Sequence, residues 1–161
     1  MRNSQRDHQD LLPSLGSCGN KIKQKQNWIG YDMGKLSRDK GSRLELWVCK
    51  QIDEQLGIKV NRNLSQYQSK GQADIILPSF SIECKHYAKG WTHKPDWWRQ
   101  CVEEAGENLE PVLIYKYDYQ DARAVVRLSL VRSDLDADCN MVCTISLDVL
   151  WYLMREKIAE Q

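Results

Sequence analysis

Two carboxylates and an amine, Asp74, Glu83 and Lys85, stand in two short apolar runs separated by a turn. The runs are residues 73–77 and 80–85, with Pro78 and Ser79 between them. Read as a β-hairpin with a two-residue loop, they pair Leu77 with Phe80, Ile75 with Ile82 and Asp74 with Glu83. Side chains alternate along a strand, so Lys85 shares the face of Glu83, while Phe80, Ile82 and Cys84 share the core face. Directly opposed residues have Cβ atoms about 5 Å apart, and like charges so placed destabilise a hairpin. A divalent cation between the carboxylates would offset that cost. Mg²⁺ favours oxygen ligands and binds through one or two carboxylates together with waters and substrate phosphate. A lysine beside it would orient the attacking water or stabilise the charged phosphorane. That is a layout for phosphodiester hydrolysis.

A third carboxylate points the same way. Leu44, Val48, Ile52 and Leu56 recur at helical spacing from Ser42 onward, and Gly57 supplies a stop signal. Glu45 lies on the face of that helix that also carries Cys49, Ile52 and Leu56. A charge on a face that packs against a sheet is unexpected unless it serves a site. The competing reading is local: Ser42-x-x-Glu45 matches a capping box, in which Glu45 reaches back to the Ser42 backbone.

The remaining chain supplies elements to hold these residues. Residues 58–62 alternate as a short strand. Residues 86–94 form a loop rich in aromatic and basic side chains, HYAKGWTHK. Pro95 suits the first turn of a helix running to about Gly106. Residues 111–117 and 123–131 read as two more strands, and 133–140 as an acidic loop. Ser146 caps a last amphipathic helix with Leu147, Leu150, Trp151, Met154 and Ile158 on one side. The order α, β, β, β, α, β, β, α predicts an α/β domain, a mixed sheet with helices against its faces. It spans residues 33–161, preceded by a flexible polar arm over residues 1–32.

Composition bounds the function. The chain has 161 residues, 42% hydrophobic and 28% charged, with no apolar run of membrane-spanning length and no signal peptide. Six cysteines without a CxxC pair read as reduced thiols of a cytoplasmic protein. Cys139 and Cys143 have no second pair of ligands to complete a zinc site. Net charge is +1, but residues 21–43 carry seven basic against two acidic side chains, and residues 100–161 carry six against twelve. Such lopsidedness suits a protein with one polyanion-facing side. Lys40, Arg43, Lys70, Lys89 and Gln100 are the candidate DNA contacts. No GxxxxGK[ST], GxSxG or HExxH occurs, so a nucleotide cofactor is not expected.

With these residues placed, KGSRLELWVCKQIDEQLG, GQADIILPSFSIECKHY and PVLIYKY together resemble the PD-(D/E)xK nuclease superfamily. Within it, the archaeal and phage-type Holliday junction resolvases are the branch of greatest likeness. The resemblance covers roughly residues 35–131, and its specific parts are Lys40-Gly41-x-x-x-Glu45 and Asp74…Glu83-x-Lys85. It implies a restriction-endonuclease-like fold and Mg²⁺ or Mn²⁺ held by Asp74, Glu83 and the Cys84 carbonyl, with Glu45 contributing. Lys85 would position the water. It implies a homodimer acting on branched or four-way DNA in a bacterial or phage-infected cell. Ser69 matches the family's serine imperfectly, and Gln100 falls where many members carry a helper glutamine. A duplex or flap endonuclease without junction preference, and a non-catalytic DNA-binding protein on the same scaffold, are the alternatives.

Overall fold

The computed structural model describes residues 23–63, 72–136 and 141–160, with side chains from residue 34 onward. By compactness the chain divides into two units, Met1–Met33 and Gly34–Gln161. The elements are α1 (Lys23–Leu56), β1 (Ile75–Leu77), β2 (Phe80–Tyr87), α2 (Pro95–Ala105), β3 (Glu110–Tyr117), β4 (Arg123–Arg127), α3 (Leu128–Val131), β5 (Val142–Ser146) and α4 (Leu147–Ala159).

The strands form one mixed sheet in sequence order, β1 to β5. Among the described strands only the β2–β3 pair is parallel, and α2 makes the crossover that a parallel pair requires. Pleating gives β2, β3 and β4 two different faces. Phe80, Ile82, Cys84, Val112, Ile114, Ala124 and Val126 face one core, completed by Leu44, Val48 and Ile52 of α1 and Leu150, Trp151 and Met154 of α4. Leu113, Tyr115, Tyr117 and Val125 face the other, closed by Trp97 and Cys101 of α2. Each fully buried aliphatic side chain contributes about 1.5–3 kcal/mol. The result is the α/β, restriction-endonuclease-like arrangement of a mixed sheet flanked by helices.

The hairpin has the register expected from its sequence, Ile75↔Ile82 and Leu77↔Phe80. Ser79 takes φ 70° there, the left-handed conformation that the third position of a type II turn requires after proline. Gly57 ends α1 with φ 69°, its N–H donating to the Asp53 carbonyl at 3.0 Å. Pro95 sits in the first turn of α2, and the Ser146 hydroxyl accepts from Val149 N at the start of α4.

Four expectations need correction. Helix α1 begins by Lys23, not at Ser42, because its Lys- and Gln-rich start is compatible with helix despite Gly30, Gly34 and Gly41. Residues 57–63 are irregular rather than a strand: Ile58 and Val60 alternate because they pack on the core, not because they join a ladder. The run 123–131 is a strand only to Arg127, after which Leu128–Val131 makes a helical turn, since a short apolar run carries no period that separates the two. Finally, β5 follows the acidic stretch as an edge strand that was not anticipated. Of the expected arm, residues 1–22 lie outside the described residues and the part from Lys23 is helical.

Candidate active site

The hairpin and α2 bring the predicted residues together. Asp74 lies one residue before β1 and is 6% exposed. Its position continues the register toward Glu83, but its Oδ2 reaches past to accept a hydrogen bond from the Cys84 backbone N–H at 2.7 Å. Glu83, in the middle of β2, is 4% exposed. Its Oε1 accepts from Lys85 Nζ at 2.5 Å and from Gln100 Nε2 at 3.3 Å. Its Oε2 is buried and meets no donor among the described residues. Lys85 Nζ donates also to Gln100 Oε1 at 3.1 Å, and Gln100 Nε2 donates to Glu104 Oε1 at 2.8 Å. Gln100 and Glu104 stand one turn apart on the face of α2 that covers β2.

Charge accumulates in a place poor in water. Burial pushes the Glu83 carboxyl up to about 8, with Asp74 adding to the rise and Lys85 opposing it. Burial disfavours the Lys85 ammonium, but Glu83, the hydrogen bond to it and Asp74 outweigh burial and raise its affinity for the proton. The two effects act against each other across one short contact, so the pair titrates as a unit. The direction that stands is a Glu83 carboxyl that resists ionising alone and a Lys85 that stays charged.

Glu45 is near enough to feel the same charges. Burial raises its carboxyl, and so does Asp74; Arg62 and Lys85 lower it. The capping-box reading fails, because Ser42 lies deep inside α1. Instead Arg62 Nε donates to Glu45 Oε2 at 2.5 Å and its Nη2 to Ser42 Oγ at 3.2 Å. Sequence reasoning missed both Arg62 and Glu104. A helical spacing from Gln100 would have flagged Glu104, whereas nothing local marks Arg62.

The other candidates divide. Lys40 is paired with Asp118, whose other oxygen meets His86 Nε2 at 3.0 Å. Those contacts hold the Asp118 carboxyl below its ordinary range. Arg43 is exposed, with Nε on the Asp39 carbonyl, and Lys89 is exposed. Gln100 is half-buried among the site residues rather than presented outward. Lys70 and Ser69 lie outside the described residues, as do Cys18 and Cys139. Cys49, Cys84, Cys101 and Cys143 are free thiols, and burial pushes Cys101 up to about 12, which makes it inert.

Among the described residues no group of three or more His, Cys, Asp or Glu side chains forms a metal-binding cluster. Two carboxylates, one with a buried unpartnered oxygen, do fit a cation that completes its shell with waters and phosphate, as Mg²⁺ does. Among these residues, too, no helix is long and apolar enough to cross a membrane.

Residues 36–148 match the family model described as "phage putative PDDEXK endonuclease". No curated protein and no solved structure matches the chain.

Proposed function

From the premise that the chain belongs to that phage PDDEXK endonuclease family, we propose that it is a Mg²⁺- or Mn²⁺-dependent DNA endonuclease. Its preferred substrate in this reading is branched DNA, a four-way junction above all, cut by a homodimer of Holliday junction resolvase type. The observation that carries the chemistry is the buried Glu83 carboxyl, charged against Asp74, with Oε1 on the Lys85 ammonium and Oε2 left without a donor among the described residues.

Asp74, Glu83 and the Cys84 carbonyl would hold the cation, with Glu45 beside them. Bound there, it would supply Lewis acidity toward the scissile phosphate and a lower pKa for the attacking water. Asp74 is fixed by the Cys84 amide, so the carboxylate does not have to be ordered at the moment of reaction. Lys85, steered by Glu83 and Gln100, presents its ammonium to the water or to the charge that builds on phosphorus. Water oxygen bonds to phosphorus and the bond to the leaving oxygen breaks, giving a phosphomonoester end and a hydroxyl end. A dimer would place two such sites on a two-fold substrate, one for each strand.

The test is cleavage of a labelled four-way junction and a matched linear duplex, with Mg²⁺ and with EDTA, by wild type and Lys85→Ala. Paired symmetric cuts in the junction alone, lost in EDTA and in the variant, are the expected outcome. Equal cutting of both substrates would leave the nuclease and remove the junction selectivity. DNA bound without any cutting would favour a non-catalytic protein on this scaffold.

A further inference from the structure

Two aromatic rings stand outside the packing of the buried aromatic cluster of Trp97, Tyr115 and Tyr117. Trp91 is 82% exposed, and Tyr119 is wholly exposed. They sit on two loops at one end of the sheet, after β2 and after β3. The loops are tied together and to the sheet. Tyr117 OH donates to the Thr92 carbonyl at 2.6 Å, and Gln120 Nε2 donates to the Gly90 carbonyl at 2.9 Å. Asp118 N–H donates to the Tyr87 carbonyl at 3.1 Å. Gly90 is packed so tightly on the Tyr117 ring that a Cβ there would lie 2.1 Å from it. The backbone is therefore fastened on both sides of Trp91, while its indole is left in solvent. Tyr119 adopts φ 62°, a conformation uncommon for any residue with a Cβ and an outlier for a bulky one. The Tyr117–Gln120 turn, closed by the Gln120 N–H on the Tyr117 carbonyl at 3.2 Å, sets that φ and holds the ring in solvent.

Below the two loops, Tyr87 stacks on Trp97 with centroids 4.7 Å apart, and Lys94 Nζ lies 5.3 and 5.4 Å from the two ring centroids. Tyr87 belongs to the same strand as Glu83 and Lys85, and two residues of strand separate Lys85 from Tyr87 by about 7 Å. Lys89 and Lys94 flank Trp91 in the chain, and both are exposed. Aromatic rings presented among cations are what single-stranded nucleic acid requires: a face for each base and a charge for each phosphate.

We propose that Trp91 and Tyr119 form a stacking site for unpaired bases of the DNA, next to the site at which the strand is cut. The inference rests on the reading of the protein as a DNA endonuclease and names the feature of the substrate that this end of the sheet would recognise. Junctions, forks and flaps offer such unstacked bases; a continuous duplex does not.

Binding in EDTA separates the inference from catalysis. The affinity of a fluorescein-labelled oligothymidine and of a blunt duplex of equal length would be measured by anisotropy over a salt series. The proteins would be wild type, Trp91→Ala, Trp91→Phe, Tyr119→Gly and, as a surface control on α4, Tyr152→Ala. Both rings are exposed, so these variants should fold; circular dichroism would verify it. Trp91→Ala should weaken oligothymidine binding roughly tenfold, Tyr119→Gly somewhat less, and Trp91→Phe little, as loss of base stacking predicts. The salt slope should not change, because stacking releases no counterions. Duplex binding should be nearly unaffected. Oligothymidine affinity equal to wild type in both ring-deleting variants, or an equal loss on the duplex, would overturn the stacking site and leave the nuclease intact. A wild-type protein that binds neither DNA would overturn both.

Discussion

At the scale of single residues, Glu83 is a carboxylic acid that is expensive to ionise. Glu83 is almost completely buried, is faced by Asp74, Lys85, Gln100 and Glu104, and has its carboxyl pushed up to about 8 from an ordinary value of 4.5. An acid whose pKa is raised on folding holds its proton more tightly in the native state. Its favourable contribution is therefore complete below pH 4.5 and is lost as pH rises through about 8. Urea unfolding in EDTA should show stability declining over that window. Glu83→Gln keeps the shape and removes the titrating group, so it should flatten part of the decline. The same variant should lose cleavage, because it also removes an anionic oxygen from the proposed cation site. Parallel decline in wild type and variant would show that Glu83 is not the group that takes up the proton. A variant that gains stability and loses cleavage would mark Glu83 as a costly group kept for chemistry.

At the scale of elements, the loop between β2 and α2 depends on one close approach. Gly90 has φ 154° and lies against the Tyr117 ring, so any side chain there must move backbone or ring. Gly90→Ala should destabilise the protein by about 1–3 kcal/mol, the usual cost of overpacking, and weaken the Tyr117–Thr92 bond. An unchanged urea midpoint would contradict this account. The elements also show what sequence can and cannot reveal. The β1–β2 hairpin, and with it the shared face of Glu83 and Lys85, was legible from the alternation of its two apolar runs, although Pro78-Ser79 is not a favoured two-residue turn. Helix α4 was legible from Ser146 and the spacing of Leu150, Trp151 and Met154. The start of α1 was not, since residues before Ser42 are polar and carry no apolar periodicity although the helix runs through them from Lys23. Strand β5 was hidden by its brevity and by its place at the edge, where few apolar residues are required. Arg62 was invisible for another reason. Its partner Glu45 is 17 residues away, on an element that meets it only after folding.

At the scale of the whole molecule, a net charge of +1 gives no general attraction to a polyanion, so DNA affinity must come from where the cations stand. Folding changes which of them are free for that work. Lys40 is engaged by Asp118, and Arg62 by Glu45, so acidic side chains neutralise cations that the sequence alone presents as basic. Arg43 and Lys89 remain exposed, Arg43 using only its Nε on a backbone carbonyl. If both contact phosphates, each releases close to one counterion when DNA binds. The slope of log affinity against log salt should then become shallower by about 1.8 in the double variant Arg43→Ala/Lys89→Ala. Lys40→Ala should change that slope less, because its charge is already balanced within the protein. Measured in EDTA, a slope in the double variant equal to that of wild type would remove both residues from the DNA face. A larger change with Lys40→Ala would mean that DNA displaces Asp118, releasing Lys40 and leaving His86 as the carboxylate's remaining partner.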